Sequence, residues 1–380
     1  MNKTAILHIN TLSRVEEGSG AEVMLHALAS HLQDRYQNHV IGFTKRHEYE
    51  GFHEKNSVRY YHIYNSRLSR RIQAPLSAVY NLSYKKIDPI VQKIQPKIAI
   101  VHNSYGWSSA LYAYLGRSSI PVIQVLHDYR LMCIKATMTS AEGACSKRCL
   151  SCSLVRLSDK RGCLQTDAVV GVSRYILNKY EHEGYVDKYA LKKVIYNSIE
   201  LPPGYSITQE VRSIGFIGTL SAHKGIEDFL SISTEFPLYR FVVAGDGKPA
   251  YTEKLKRAYP NVTFLGRVDR DTFFHQVDVV VIPSKWEEPF GLTVLESLAR
   301  GKLVLAYRHG GIPEIIRDGV DGWLFNDVHE LKEFMRHISH VHCESASFNA
   351  RKRAEEWPSL KIMADEYDSV IREVMTRKGL

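Results

Sequence analysis

The chain has 380 residues, of which 44% are apolar and 24% are charged, a composition typical of globular proteins. The length exceeds the ~250–300 residues at which a single core stops growing, so we expect two domains. No run of about 18 apolar residues is present, which argues against a membrane-spanning helix. The N-terminus turns polar after one short apolar run, unlike a signal peptide, so a cytoplasmic protein is expected.

The positive charge is concentrated in the first half of the chain. Residues 1–195 contain 27 Lys or Arg and 15 Asp or Glu, whereas residues 196–380 contain 23 and 26. This asymmetry predicts an anionic partner for the first half: a membrane surface, a phosphate-bearing substrate or nucleic acid. The alternative is a basic surface that serves only solubility.

The first half alternates strand patterns with helical patterns, as parallel α/β sheets do. A strand is predicted at 4–10, a polar, glycine-containing loop at 11–20, and an amphipathic helix at 21–32. Further strands are predicted at 39–43, 97–103, 121–128, 168–173 and 192–198.

A linker is predicted at 201–210, where two prolines and a glycine separate structured segments. A second alternating series follows, with strands at 212–220, 239–245, 262–266, 278–284, 302–307 and 322–325 and helices at 224–233, 250–259, 270–277, 291–300, 312–318 and 329–338. Trp357-Pro358 should end one more helix before the last, at 360–375. We therefore predict two doubly wound α/β domains, 1–200 and 211–358, with ligands beyond the carboxyl ends of their strands.

Loops that follow second-half strands are candidates for phosphate binding. Lys224, in GTLSAHKG, should stand near a helix start, where free N–H groups and a lysine together bind phosphate. A solvated surface lysine is the alternative. The GDG turn at 245–247 permits close backbone approach to a ligand, although alone it indicates only a turn. No G-x-G-x-x-G motif follows the first strand of either half, which weakens a dehydrogenase interpretation.

The segment WEEPFGLTVLESLARG, at 286–301, carries Glu288 and Glu296 on either side of a Pro-Phe-Gly turn. Backbone N–H groups of Phe290, Gly291 and Leu292 could face a diphosphate there, with Lys224 as the nearby cation. The carboxylates would repel the diphosphate but would accept hydrogen bonds from vicinal diols. A nucleotide sugar has diols on both sides of its diphosphate, so it fits this spacing.

EEPFGLTVLE, together with HKG, GDG, FLGRV and GGIPEIIRDGVDGWLF, resembles the retaining glycosyltransferases of family 4. The resemblance is specific over most of 214–325 and looser in EEGSGAEVMLHALA and VLHDY. It implies the GT-B fold, in which two Rossmann-like domains face an inter-domain cleft. It also implies that the last helix, about 359–380, completes the first domain.

The resemblance assigns roles by position. Glu296 is expected to bind the ribose hydroxyls, Glu288 the hydroxyls of the donor sugar, and Lys224 the diphosphate. The implied catalytic residues are Glu288, Lys224 and His127, with His127 near the donor sugar; a satisfied core histidine is the alternative for His127. The other implied contacts to the nucleotide sugar are Phe290, Gly291, Leu292, Thr219, Gly18, Gly20, Arg267 and Arg270.

Thr219 departs from the family, many members of which carry an arginine there to bind the diphosphate. His223 or Arg14 could substitute for it, and a scaffold with a degenerate donor site is an alternative interpretation. The family implies a UDP- or GDP-sugar donor, retention of anomeric configuration and no catalytic metal. By analogy, the acceptor is a glycan or a lipid-linked hydroxyl in surface polysaccharide or lipopolysaccharide assembly.

Basic residues among apolar ones at 65–87 predict contact with an anionic membrane, with a solvated helix face as the alternative. His102, Tyr105 and Trp107 follow a strand and are candidates for contact with the acceptor sugar. Five of the six cysteines lie at 133–163; structural zinc and reduced thiols both fit them. Nucleic acid is not expected, because no reading motif is present, and the E-x7-E loop argues against a GT-B epimerase.

Overall fold

A largely parallel β-sheet forms the centre of each of the two units into which the chain divides. Unit 1 contains residues 1–138, 145–198 and 359–380, and unit 2 contains residues 139–144 and 199–358. The computed structural model describes residues 3–14, 20–65, 84–107, 109–140, 143–145 and 147–380. No helix among these residues is long and apolar enough to cross a membrane.

The sheet of unit 1 has eight strands in its described part, in the order β10-β9-β6-β5-β1-β2-β4-β3. All neighbours pair in parallel except β3 and β4, which form an antiparallel hairpin at one edge. The strands are β1 (Thr4–Leu12), β2 (Tyr36–Thr44), β3 (Gly51–Lys55), β4 (Val58–Tyr64), β5 (Ile98–Val101), β6 (Val122–Leu126), β9 (Ala168–Gly171) and β10 (Leu191–Val194). Strands β7 (Thr139–Ser140) and β8 (Gly143–Ala144), which belong to unit 2, form a separate small ribbon.

The helices of unit 1 are α1 (Gly20–His31), α2 (Tyr84–Ile94), α3 (Ala110–Arg117), α4 (Leu150–Val155), α5 (Leu157–Cys163), α6 (Arg174–His182) and the C-terminal α14 (Leu360–Arg377). The hydroxyl of Ser359 caps α14 by accepting from the N–H of Ile362. Helix α14 joins this unit through Asp368, which accepts from the Tyr36 hydroxyl at 2.5 Å and pairs with Arg35 at 3.1 Å.

The sheet of unit 2 has the order β13-β12-β11-β14-β15-β16, which is the 3-2-1-4-5-6 order of a doubly wound nucleotide-binding fold. Its strands are β11 (Ser213–Ile217), β12 (Arg240–Ala244), β13 (Val262–Gly266), β14 (Val279–Ile282), β15 (Leu303–Tyr307) and β16 (Trp323–Phe325). Its helices are α7 (Ile226–Glu235), α8 (Pro249–Ala258), α9 (Arg270–Phe274), α10 (Leu292–Leu298), α11 (Ile312–Ile315), α12 (Val328–His337) and α13 (Cys343–Glu356).

The strands of unit 2 are apolar because helices cover both faces of a parallel sheet. Every residue of β14 and β15 is buried, and alternate side chains, such as Val281 and Leu305, pack with Phe229 and Phe241 in one core. The prediction of two doubly wound sheets is confirmed, and most predicted strands match within a few residues. The predictions did not include the β3–β4 hairpin, and predicted helices such as 270–277 extended beyond the helical turns.

Candidate active site

The polar loops of unit 2 meet where β11 and β14 lie side by side. These strands are neighbours in the sheet, with Gly215 opposite Val280, although about 65 residues separate them in the chain. Lys224 closes a 3-10 turn after β11, and Glu288 lies in the loop after β14. This position is the topological switch point of the sheet, where doubly wound folds bind their ligands.

Lys224 and Glu288 form an ion pair with an Nζ–Oε1 distance of 2.6 Å. The Ser284 hydroxyl donates to the same carboxylate oxygen at 2.7 Å, and the Lys224 ammonium lies 4.8 Å from the centre of the Trp286 ring. Burial by itself would raise the pKa of Glu288, but the charge and hydrogen bond of Lys224 hold the pKa below its ordinary value. The site therefore contains a carboxylate and an ammonium in direct contact.

Two glycines hold these loops together. Gly225 has a φ of +72°, and a Cβ there would lie 1.7 Å from the carbonyl oxygen of Pro283. Gly310 has a φ of +62°, and its Cβ would lie 2.1 Å from the carbonyl oxygen of Glu288. The N–H of Gly311 donates to that carbonyl at 2.7 Å. The HKG and GGIPE motifs thus support the loop that carries Glu288.

We expect Gly225→Ala to lower the free energy of unfolding by well over the roughly 1 kcal/mol of left-handed backbone strain, because its methyl group would displace the Pro283 loop. The matched control is Gly319→Ala, since Gly319 has a φ of +75° and open space around its Cβ position. Urea unfolding of both variants measures the difference. Equal losses would show that the Gly225 contact with Pro283 contributes nothing to stability.

Glu296 lies on α10 and is buried. Its Oε1 is 2.6 Å from the Arg270 Nε, and burial raises its pKa while the charge of Arg270 opposes that rise. Arg270 is about half exposed, with a side-chain exposure of 49%. Glu296 therefore pairs with a cation that solvent can reach. Arg267, in the loop after β13, is exposed.

Gly291 starts α10 with a φ of +105°. The first hydrogen bond of this helix runs from Val294 N to Gly291 O, so the N–H groups of Gly291 and Leu292 precede the helical ladder. The Phe290 side chain is buried, with its ring centre 5.9 Å from that of Trp357. The side chain of Phe290 therefore belongs to the core of unit 2.

The position of the missing arginine, Thr219, is exposed. His223 does not replace the missing charge, because burial, followed by the charge of Lys224, lowers its pKa. Arg14 lies in unit 1, with its guanidinium 3.8 Å from the centre of the Tyr49 ring. Of the residues considered for binding the diphosphate, Lys224 is therefore the cation in direct contact with Glu288.

In unit 1, the partly exposed His127 follows β6 and ends a chain of histidines whose other two members, His102 and His8, are buried. His127 Nε2 is 3.1 Å from His102 Nδ1, and His102 Nε2 is 3.2 Å from His8 Nδ1. His8 Nε2 is 3.0 Å from the Asn38 Oδ1, and Asn38 Nδ2 donates to the Tyr36 carbonyl. The amide orientation makes Asn38 an acceptor for His8 Nε2–H, so in neutral rings each Nε2 donates in turn and the Nδ1 of His127 is left as an acceptor.

Burial keeps these three rings neutral. It lowers the pKa of His8 to about 4 and that of His127 to about 4, against a rise caused by Asp128. Burial and the neighbouring histidines lower the pKa of His102 well below its ordinary value. Sequence patterns did not indicate this network, because its members lie on the separate strands β1 and β2 or directly after β5 and β6.

A second polar group of unit 1 lies at the carboxyl ends of β1 and β5. Asn10 donates to the buried Glu22 carboxylate at 2.9 Å, and the Thr11 hydroxyl donates to Asn103 at 2.9 Å. Gly20 starts α1, whereas Gly18 lies outside the described residues. Trp107, an expected acceptor contact, is instead fully buried against Phe43, at 3.9 Å between ring centres. It is a core residue.

The cysteines are free thiols. Cys133, Cys152 and Cys163 are buried, and Cys149 is exposed. Hydrogen bonds, first with Ser151, lower the pKa of Cys149 to about 7. Among the described residues, no three His, Cys, Asp or Glu side chains form a group that could hold a metal ion, so the zinc interpretation finds no assembled ligand set there.

Two family models match the chain. "Glycosyltransferase Family 4" matches residues 18–201 and "Glycosyl transferases group 1" matches residues 211–341. An "Uncharacterized 42.6 kDa protein in cps region" of Klebsiella pneumoniae is 28% identical over 93% of this chain and 98% of its own length. The "D-inositol 3-phosphate glycosyltransferase" of Mycobacterium ulcerans is 36% identical, over 30% of this chain and 27% of its own length.

Solved structures share the fold over nearly the whole chain. The Anabaena protein Alr3699/HepE, solved in complex with UDP and glucose, has a TM-score of 0.74 at 17% identity and covers 97% of this chain and 99% of its own. Sucrose-phosphate synthase of Thermosynechococcus elongatus has a TM-score of 0.79 at 16% identity, covering 99% of this chain and 100% of its own. The fold expected from the sequence, GT-B, is confirmed.

Proposed function

Because the chain belongs to glycosyltransferase family 4, we propose that this glycosyltransferase moves a hexose from a nucleotide-diphosphate sugar to a glycan or lipid-linked hydroxyl, with retention and without a catalytic metal. The observation that carries this proposal is the Lys224–Glu288 pair at the switch point of unit 2. It offers a cation for a diphosphate and an ionised carboxylate for sugar hydroxyls side by side. We propose UDP as the first candidate nucleotide, since the solved Anabaena neighbour binds UDP, and GDP as the second.

In the proposed reaction, the bond between the anomeric carbon and the diphosphate oxygen breaks while the acceptor oxygen bonds to the same face of that carbon. The acceptor proton passes to the leaving phosphate. Lys224 stabilises the charge that develops on this phosphate, together with the N–H groups at the start of α10. Glu288 accepts hydrogen bonds from the donor sugar, and His127 contributes a polar contact.

Glu296 is proposed to bind the ribose, and its ion pair with Arg270 is proposed to loosen when the nucleotide binds. That arginine is about half exposed, so it could turn toward the nucleotide while Glu296 accepts from the ribose diol. Arg267 and Arg270 are proposed to lie near the base. Thr219 is proposed as a neutral diphosphate contact, and Gly18 and Gly20 as contacts from unit 1.

We also propose a place in surface polysaccharide assembly, because the Klebsiella relative that spans nearly the whole chain is in a cps region. The same proposal includes lipopolysaccharide assembly as a second pathway. It also includes contact between the protein and the anionic inner face of the cytoplasmic membrane. Much of the basic segment first expected to contact the membrane, 66–83, lies outside the described residues.

The test is a thermal-shift panel of UDP, GDP, ADP and their sugars. We expect one nucleotide, UDP first, to raise the melting temperature, because a ligand at about 100 times its Kd stabilises the fold by roughly 2.7 kcal/mol. Glu296→Ala should lose most of this shift, whereas Glu253→Ala, at an exposed glutamate of the same unit, should keep it. If no nucleotide shifts the wild type, Thr219 marks a degenerate donor site.

A further inference from the structure

Helices α4 and α5 expose leucines and bury polar side chains, the reverse of what is expected for a helix that only packs against a core. The side chains turned inward are Cys152, Arg156, Asp159 and Cys163, all buried. The exposed side chains include Leu150, Leu154, Leu157 and Leu164, with exposures of 76%, 67%, 47% and 37%. Surface helices normally present the opposite arrangement, with leucines inside and charges outside.

The buried side chains of α4 and α5 hold the two helices with their leucines toward solvent. Arg156 and Asp159 form a buried ion pair at 3.0 Å, each side chain only 8% exposed. Turning the leucines inward would bring this ion pair to the surface and remove Cys152 and Cys163 from the core. The four exposed leucines, spaced 4, 3 and 7 residues apart, follow the repeat of three to four residues that places side chains on one side of a helical segment, and we name them the leucine face.

The exposed charges within the segment 143–166 are positive. Lys147 and Arg161 are exposed and continue the same spacing, three residues before Leu150 and four after Leu157. The only carboxylate at 143–166 is the buried Asp159. Among the described residues, neither Lys147 nor Arg161 forms an ion pair. An apolar strip flanked by unneutralised cations is complementary to a surface with an apolar interior and anionic headgroups.

We propose that the leucine face docks unit 1 onto an anionic lipid bilayer, with the leucines in the acyl boundary and Lys147 and Arg161 at the headgroups. This inference deepens the proposed function, on which it rests for a lipid-linked acceptor, since docking would bring the enzyme to such an acceptor. Vesicle binding itself is measured without any sugar transfer.

The experiment is sedimentation with vesicles of phosphatidylcholine alone and of phosphatidylcholine with phosphatidylglycerol, at low and high salt. We expect the wild type to bind the anionic vesicles and to lose affinity as salt rises. Leu150→Ser/Leu154→Ser should weaken the partition coefficient at least about tenfold, because two exposed leucines no longer enter the bilayer. Lys147→Glu/Arg161→Glu should remove the preference for phosphatidylglycerol.

Leu238→Ser is the matched control, since Leu238 is 94% exposed in unit 2, and it should bind as the wild type does. Unchanged melting curves exclude unfolding of the variants. Absence of wild-type binding, or binding that the leucine variant retains, would overturn the assignment. The assignment would also be overturned if the wild type were a dimer in light scattering, if Leu150→Ser/Leu154→Ser made it a monomer, and if the wild type did not bind vesicles. If the leucine variant no longer binds vesicles but a nucleotide still raises its melting temperature, membrane docking and donor binding are independent. If the wild type binds vesicles but no nucleotide raises its melting temperature, the result counts against the proposed function and leaves the docking proposal in place.

Discussion

Lys224→Met is expected to lower the turnover number of sugar transfer by at least about a hundredfold, the usual cost of removing one group that stabilises developing charge. The ammonium of Lys224 is 2.6 Å from Glu288 and is the cation proposed to stabilise the leaving diphosphate. The substitution also leaves the buried carboxylate of Glu288 without its main partner. Burial would then raise the pKa of Glu288, so the residual activity should increase as pH rises and the carboxylate reforms.

The measurement is the steady-state rate of transfer from the donor that the thermal-shift panel identifies, over a range of pH. Lys254→Met, at an exposed lysine on α8, is the matched control and should keep the wild-type rate. Lys224→Met/Glu288→Gln removes the unpaired charge, so it should recover stability without recovering activity. A Lys224→Met rate within a few fold of the wild type would show that Lys224 does not stabilise the leaving group.

The strands could be predicted because a strand that is buried on both faces consists of consecutive apolar residues, as in the VVVI of β14. The β3–β4 hairpin could not. Every residue of β3 is exposed, so it carries no apolar pattern. Its two-residue turn, Asn56-Ser57, has both φ angles positive, at 50° and 58°, and lacks the Asn-Gly or Asp-Gly pair that usually marks such a turn.

The residue types of the candidate site were predictable from its motifs, which indicated Lys224 as a cation near the segment of Glu288, but the contacts between separate segments were not. The spacing of Glu288 and Glu296 suggested diol contacts from the sequence. The direct contact between Lys224 and Glu288 depends on β11 and β14 being neighbours in the sheet, which no local pattern specifies. The same holds for the histidine chain, whose rings come from one strand and from the residues that follow two others.

Acidification is expected to destabilise unit 1 because its buried histidine chain resists protonation. The pKa values of His8 and His127 are lowered from 6.5 to about 4, and that of His102 is lowered well below 6.5. Above pH 6.5 these groups are neutral in the folded and the unfolded states, so they cause no loss. Below pH 6.5 the unfolded state binds protons that the folded state does not, which costs about 2 kcal/mol at pH 5 for a histidine whose pKa falls from 6.5 to about 4, as those of His8 and His127 do.

Hydrogen exchange of the β1 amides, corrected for the intrinsic effect of pH, measures this loss within unit 1. His102→Gln removes one titrating ring and should make the pH dependence shallower, whereas His329→Gln, at a side chain 80% exposed, should leave it unchanged. Equal stability at pH 7 and pH 5 would contradict a neutral, buried chain. If the dependence is found, His127 stays neutral at physiological pH and presents its Nδ1 as an acceptor. It would then bind a sugar hydroxyl as a neutral partner rather than a cation, which leaves the neutralisation of the diphosphate to Lys224.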